Sequence, residues 1–395
     1  MMGDKRFQHF LEAFNGEAPV SIRLNPLKTA GLTVAEGEPV PWCQEGYYLP
    51  RRPQFTMDPL LHAGCYYVQE AASMFVSHVL RQYVMRPVSM LDLCAAPGGK
   101  STAAIASVPA GSVLFSNEPV RQRASILLEN IAKWGYPDST VTNNYPRDYR
   151  ASKLRFDVIL CDVPCSGEGM FRKDPATIGE WSLQNVERCA ALQRQIVGDA
   201  WACLNQGGLL IYSTCTFNTK ENEENIRWML GELDDCRVLP VDTQPSWNIT
   251  ASLLEGFTEP VYRFIPGITR SEGLFLCVLS KGEPALCSGQ TQTLHRAKRD
   301  FAPGKTKLTL LPPPQQSSAT VQASLNYRQA MAYLRGEALM LPPDTPRDTV
   351  SVGFEGHPLG WVKNIGSRAN NQYPKEWRIK TTHIPTDYEA ILRHT

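Results

Sequence analysis

Between residues 88 and 230 the chain alternates short strand-like runs with segments of helical spacing, and few folds accommodate that pattern. Met90 to Cys94, Ser112 to Asn117, Thr140 to Asn143, Asp157 to Asp162 and Leu209 to Ser213 read as short strands. Most are apolar throughout, as strands covered on both faces are. Helical segments are expected over Ser101 to Ser107 and over Arg121 to Trp134, the latter stopped by Gly135 and Pro137. A longer helix starts at Ser182, with Val186, Cys189, Leu192, Ile196, Ala200 and Cys203 at i+3/i+4 spacing. Asn218 with Glu221 fits a capping pair that opens one more helix, through Leu230. The alternation predicts a doubly wound α/β domain. Arg237 to Val241, Tyr262 to Ile265 and Leu274 to Leu279 lack helices between them and predict an antiparallel edge.

Around that domain the chain is less regular. Ser21 to Pro26 reads as a strand and Ala72 to Tyr83 as a helix, which suggests a small N-terminal α/β extension over 1–85. The α/β domain is expected over 86–282. Residues 283–320, rich in Pro and Gln-Ser, read as an extended linker. A helix over Tyr327 to Arg335, followed by Gly- and Pro-punctuated strands, predicts a β-rich domain over 321–395. The formal net charge is +1, but residues 290–395 carry 14 Lys/Arg against 8 Asp/Glu, which suits an anionic partner. Met1 to Phe10 lacks the apolar core of a signal peptide, and no apolar run approaches the roughly 18 residues of a membrane span. Eleven cysteines in such a chain suggest reduced thiols in a cytoplasm. None has C-x-x-C spacing, so no zinc site is expected.

In an open α/β sheet, ligands collect at the C-terminal ends of the strands. Two Gly-rich loops stand there. Cys94-Ala95-Ala96-Pro97-Gly98-Gly99-Lys100 follows the first strand; it matches neither the G-x-G-x-x-G dinucleotide fingerprint nor the P-loop spacing. Glu118, about twenty residues on, ends the next strand, where an acid accepts the hydroxyls of a ribose. Loop and acid together suit a nucleoside with an acidic end, a description that S-adenosylmethionine meets. The second loop, Asp162-Val163-Pro164-Cys165-Ser166-Gly167-Glu168-Gly169, combines an acid and a thiol, and a further thiol, Cys215, ends the following strand. A thiolate suits attack on an electron-poor ring carbon, being strong at neutral pH and a good leaving group.

Leu91 to Lys100, Asp162 to Gly169 and Ser213-Thr214-Cys215-Thr216, with Asn222-Glu223 after it, resemble the motifs of the Nop/Sun family of RNA (cytosine-5) methyltransferases. Met170 to Pro175, Tyr333 to Glu337, Leu359 to Trp361 and Asn371 to Lys375 are similar to its RsmF-like branch. The resemblance implies a Rossmann-like S-adenosylmethionine-dependent domain, an N-terminal RNA-binding extension and a PUA-like RNA-binding domain. It implies methylation of a cytosine in 16S rRNA; a monomer acting on that large RNA is expected. Cys215 would add to C6 of the base, Asp162 would bond the N3 edge and border the cofactor, and Cys165 would assist loss of the C5 proton. Cys94 to Lys100, Glu118 and Arg123 would hold the cofactor. Many relatives bind adenine with an Asp after the third strand; here Asn144 is the expected substitute, with Asn143 and Asp148 as alternatives. Lys363, Arg368, Lys375, Arg378 and Lys380 would meet RNA phosphates. A tRNA substrate, a DNA cytosine methyltransferase that attacks through Cys165, and an RNA-binding assembly factor remain open.

Overall fold

The computed structural model describes residues 2–286, 308–312, 320–381, 383–385 and 388–394. The N-terminal segment forms β1 (Val20–Leu24), β2 (Leu32–Val34), β3 (Glu38–Val40), β4 (Cys43–Leu49) and β5 (Tyr66–Val68). A sheet of order β3-β4-β1-β5 results. The central sheet contains β6 (Ser89–Asp92), β7 (Val113–Asn117), β8 (Ser139–Thr142), β9 (Phe156–Asp162) and β10 (Leu204–Thr214). It continues with β11 (Cys236–Leu239), β12 (Tyr262–Phe264), β13 (Leu274–Lys281) and β14 (Leu310–Leu311). Its order is β11-β13-β10-β9-β6-β7-β8-β14, with β12 also on β13. The strands from β6 to β10 are mutually parallel, and β13 runs antiparallel against β10.

Period-two alternation sorts this sheet's side chains onto two faces. Met90, Val158, Leu160, Leu209 and Ile211 pack on one face with Phe75, Val79 and Leu80 of the helix Phe75–Tyr83. Leu91, Ile159, Cys161, Leu210 and Tyr212 face the other side, against Ile196, Val197 and Ala200 of the helix Leu183–Cys203. Cys161, Cys189 and Cys203 are buried packing thiols. Because β6 and β9 are neighbours while the chain winds outward in both directions from them, the topological switch point lies between them. The crevice above that point is where such sheets bind ligands.

The structure adds three features to these expectations. First, the segment read as a linker contributes β14, which pairs antiparallel with β8; residues 287–307 and 313–319 lie outside the described residues. Second, the stretch between β8 and β9 holds a helix, Pro146–Ser152. Pro at its start and Asp148 accepting the Tyr145 N–H at 2.8 Å mark that start, a signal short enough to escape a periodicity reading. Third, the C-terminal region is β-rich as expected and packs on the N-terminal one. Its sheet, β15 (Ala323–Leu325), β16 (Thr349–Phe354), β17 (His357–Asn364) and β18 (Ala369–Asn371), is covered by the helix Tyr327–Leu334. Ile22, Leu60 and Tyr66 share one core with Met331, Leu334, Val350 and Leu392. β19 (Leu392–His394) pairs antiparallel with β2, so the two ends of the chain close on each other.

Candidate active site

Asp162 stands at the end of β9, one strand over from Ser213 at the end of β10, and the parallel register puts the two side by side. The Ser213 hydroxyl donates to Asp162 Oδ1 at 2.7 Å, and Lys100 Nζ donates to Oδ2 at 2.9 Å. Lys100 comes from the first turn of the helix Gly99–Ile105, across the switch point from β9. Burial alone would lower its ammonium, but the Asp162 carboxylate raises it above its ordinary value. Beyond this pair, the loops after β9 and β10 bring Cys165 Sγ and Cys215 Sγ to 3.2 Å. The Cys165 thiol holds Cys215 below the ordinary thiol value against the effect of burial, and Lys100 adds to that. Cys165 itself is pushed well up by the Cys215 sulfur and by burial.

The loop Cys94 to Lys100 lies between β6 and this group. Ala95 N–H donates to the Asn117 carbonyl at 2.8 Å, and the Pro97 carbonyl accepts from Asn130 at 2.8 Å. Gly98 has φ of 115°, in the left-handed region, and a Cβ there would lie 3.2 Å from Leu127 Cδ1. The conformation disfavours a side chain there, and the Leu127 contact leaves little room for one. Burial pushes the Cys94 thiol well above its ordinary value, which makes it a packing thiol. Glu118 is 1% exposed; its Oε1 accepts the Val120 N–H at 3.0 Å and its Oε2 meets Arg123 at 3.2 Å. Arg123 also donates to the Ala96 carbonyl at 3.1 Å, so it ties Glu118 to the loop.

Several of the expected contact residues already have partners within the chain. The Asn144 carboxamide is used on Thr309 in both directions, at 2.8 and 3.2 Å, because the edge strand β14 lies against it. Asn143 keeps its oxygen clear of these bonds while its amide donates to the Glu118 and Pro119 carbonyls at 2.7 and 2.9 Å. In the tail, Lys363 pairs with Asp348 at 2.8 Å. Arg378 is half-buried against Gly336 and donates to the Tyr373 carbonyl at 3.4 Å, whereas Arg368, Lys375 and Lys380 are exposed.

Sequence reasoning missed four residues near the site. Ser213 was readable only through the strand register. Asp92 lies buried beneath the loop, its Oδ2 accepting the Ser101 hydroxyl at 2.6 Å and its Oδ1 without a partner. Burial pushes its carboxyl up to about 7. Glu168 and Glu221 flank the two thiols from behind. Among the described residues no group of His, Cys, Asp and Glu is arranged to hold a metal ion.

Three family models match in sequence along the chain. The 16S rRNA methyltransferase RsmB/F model covers residues 85–280, the N-terminal domain of 16S rRNA methyltransferase RsmF covers 1–71, and the methyltransferase RsmF PUA domain covers 321–379. The ribosomal RNA small subunit methyltransferase F of Salmonella agona is 30% identical over 94% of this chain and 92% of its own length. This chain belongs to the RsmB/F family of methyltransferases. The family member from Pectobacterium atrosepticum, also a ribosomal RNA small subunit methyltransferase F, is 35% identical over 69% of this chain and 59% of its own length. Among solved structures, a methyltransferase homolog from Pyrococcus horikoshii aligns with a TM-score of 0.59 at 26% identity, over 69% of this chain and 90% of that one. NSun6 from the same organism, solved with SFG, aligns at 0.57 and 19% identity over 71% and 95%, which concerns the fold alone. The fold is the Rossmann-like one of S-adenosylmethionine-dependent methyltransferases, flanked by an N-terminal domain and a PUA-like domain.

Proposed function

We propose that this RsmB/F-family chain methylates C5 of a cytosine in RNA, with 16S rRNA as the substrate and S-adenosylmethionine as the methyl donor. The observation that carries the reading is the pair of thiols, Cys165 and Cys215, 3.2 Å apart beside the Asp162–Lys100 ion pair. A one-thiol mechanism leaves the second sulfur without a task.

The residues at the crevice fit the donor. Glu118 keeps lone-pair capacity for a ribose diol beside the two groups it already accepts from, and the Cys94–Lys100 loop presents backbone with no side chain at Gly98 and Gly99. With Asn144 engaged by Thr309, Asn143 is the better placed of the two for an adenine amino group. When bound, S-adenosylmethionine supplies an electrophilic methyl group. Cys215, held toward the thiolate, adds to C6 of the cytosine, and the ring electrons are pushed to C5. Asp162, fixed between Lys100 and Ser213, accepts a hydrogen bond from the amino group beside N3 and so holds that edge of the base in place. After C5 is methylated its proton passes to water with Cys165 assisting; the C5–H electron pair re-forms the C5–C6 double bond, the C6–S bond breaks and Cys215 departs as thiolate.

The three domain matches and the named relatives support 16S rRNA over tRNA. Exposed Arg368, Lys375 and Lys380 support RNA contact by the C-terminal domain. We place the action in the cytoplasm and read the chain as a monomer; among the described residues no helix is long and apolar enough to cross a membrane.

Two variants test the roles. Cys215→Ala is expected to lose both methyl transfer and covalent RNA adduct, assayed by tritium transfer and denaturing gels. Cys165→Ala is expected to accumulate a stalled adduct, since addition is intact and elimination fails. An adduct formed by Cys165 in the Cys215→Ala variant would reverse the assignment and favour the one-thiol reading. Mapping 5-methylcytosine in total RNA with and without the gene decides between rRNA and tRNA.

A further inference from the structure

Behind the two thiols the loops that carry them are joined by a crossed pair of carboxylates. Glu168, three residues after Cys165, is 8% exposed and turns toward the Cys215 loop. Its Oε2 accepts the N–H groups of Phe217 and Asn218 at 2.6 and 2.9 Å; its Oε1 accepts the Trp181 indole N–H at 2.9 Å and the Asn218 carboxamide at 3.1 Å. Glu221, six residues after Cys215, is fully buried and turns the other way. Its Oε2 accepts the N–H of Ser166, the residue next to Cys165, at 3.0 Å, and the Gln193 carboxamide at 2.7 Å. Its Oε1 accepts from Asn218 at 2.8 Å. Gly169 N–H donates to the Cys215 carbonyl at 2.7 Å, and a Cβ on Gly169 would come within 2.6 Å of that oxygen. Each carboxylate thus grips the backbone of the other cysteine's loop.

Simple stabilisation of two loops does not require this arrangement. All the partners of both carboxylates are donors, so both oxygens must accept, and two buried acids are spent on fixing one distance. The distance they fix is that between the sulfurs, at which a thiol can donate to a neighbouring sulfur. We propose that Glu168 and Glu221 are positioning residues that hold the Cys165 thiol in place to donate its hydrogen bond to Cys215, so that Cys165 serves the addition step as well as the release. The inference rests on Cys215 being the nucleophile, as read above. The groups around Cys215 are Cys165 from the β9 loop, Asp162 from β9 itself and Lys100 from the helix after β6; Glu221 stands behind Cys165. Of these, Cys165 and Lys100 favour the thiolate, and Asp162 and burial oppose it.

The test needs no RNA. Alkylation of Cys215 by iodoacetamide is followed by mass spectrometry across pH in the full chain, in Cys165→Ala, in Glu168→Gln and in Glu221→Gln. An amide in place of either carboxylate sets an NH2 group against a donor at nearly unchanged volume. The alkylation midpoint of Cys215 is expected to rise in all three variants, each unit of rise lowering the thiolate fraction at pH 7 by about tenfold. Trp181→Phe removes a single donor to Glu168; it is expected to shift the midpoint the same way by less, and it decides the matter where the glutamine variants do not fold. An unchanged midpoint in Cys165→Ala overturns the activating hydrogen bond. An unchanged midpoint in the folded clasp variants, whatever their RNA activity, reduces the carboxylates to structural ties. A shifted midpoint in a protein that never forms an RNA adduct would sink the proposed function and leave the clasp standing.

Discussion

Asp92 is the residue whose environment most directly sets a measurable property of the molecule. An aspartate normally titrates near 3.8, and burial moves this one to about 7 against the lowering effect of the Ser101 hydrogen bond. The folded state therefore holds a proton that the unfolded chain has already lost between those values. The sign follows: the contribution is fully present below about 4, and it is lost as pH rises to 7. Three units correspond to an upper limit of about 4 kcal/mol. Asp92→Asn keeps the shape and removes the titration, so its melting temperature is expected to fall less than the parent's between pH 5 and 7.5. Equal slopes in the two proteins would show that the Asp92 carboxyl is not the group responsible. The residue was legible in the sequence as part of a strand, but its burial was not, because that depends on Ser101, nine positions on, closing over it. Asn218 and Glu221 show a related limit. Their spacing reads as a helix cap, and the two do bond reciprocally, Glu221 N–H to Asn218 Oδ1 at 2.9 Å. The helix, however, begins at Glu223; Asn218 donates to Glu168 and Glu221 accepts from the Ser166 N–H, both partners about fifty residues earlier. A local pattern cannot report a partner that distant.

At the scale of elements, the Cys94–Lys100 loop is held from a strand outside its own sheet. Arg23 of β1 is buried and donates to Gln69 at 2.7 Å, to the Thr102 hydroxyl at 2.6 Å and to the Gly99 carbonyl at 3.4 Å. Its guanidinium stacks 4.5 Å above the Trp134 ring. Burial lowers its pKa to about 10, which leaves it cationic at neutral pH. Arg23→Met fills the space and removes the donors, at a cost of about 2–3 kcal/mol for charge-assisted bonds to buried acceptors. Because those acceptors lie in the first turn of the helix Gly99–Ile105, affinity for S-adenosylhomocysteine is expected to fall about tenfold, as read by calorimetry without RNA. Unaltered affinity in a folded variant would mean that β1 supports the fold and not the loop. The parallel sheet and its strand ends were readable from alternation alone, since period and length are local properties. The docking of Leu310–Leu311 on β8 was not: two residues carry no period, and their partner lies about 170 positions earlier. That one pairing diverts Asn144 from the role its position suggested.

For the whole molecule, the decisive feature is the shared core of the two terminal regions. Ile22, Leu60 and Tyr66 are buried in part by Met331, Leu334 and Leu392, and Asp58 receives Tyr66 at 2.8 Å and Tyr388 at 3.1 Å. Removing residues 321–395 is therefore expected to lower the melting temperature of what remains by several degrees and to expose apolar surface to a dye such as ANS. A truncated chain that melted as the full one does would show that the N-terminal sheet is self-sufficient. Composition distinguished the basic tail from the rest of the chain but gave no sign of what it would pack against, because apolar residues at both ends look alike until they meet.

The pairing of β2 with β19 also sets an order of events during synthesis. Leu32 to Val34 leave the ribosome early, and their partners Leu392 to His394 follow 360 positions later. At about 5–20 residues per second, that strand waits on the order of 20–70 s with an open edge. Meanwhile β6 to β13 can close the central sheet from residues made in between. β2 is thus among the last strands to be completed, and it spends the interval as the kind of unpaired edge that chaperones and aggregation compete for.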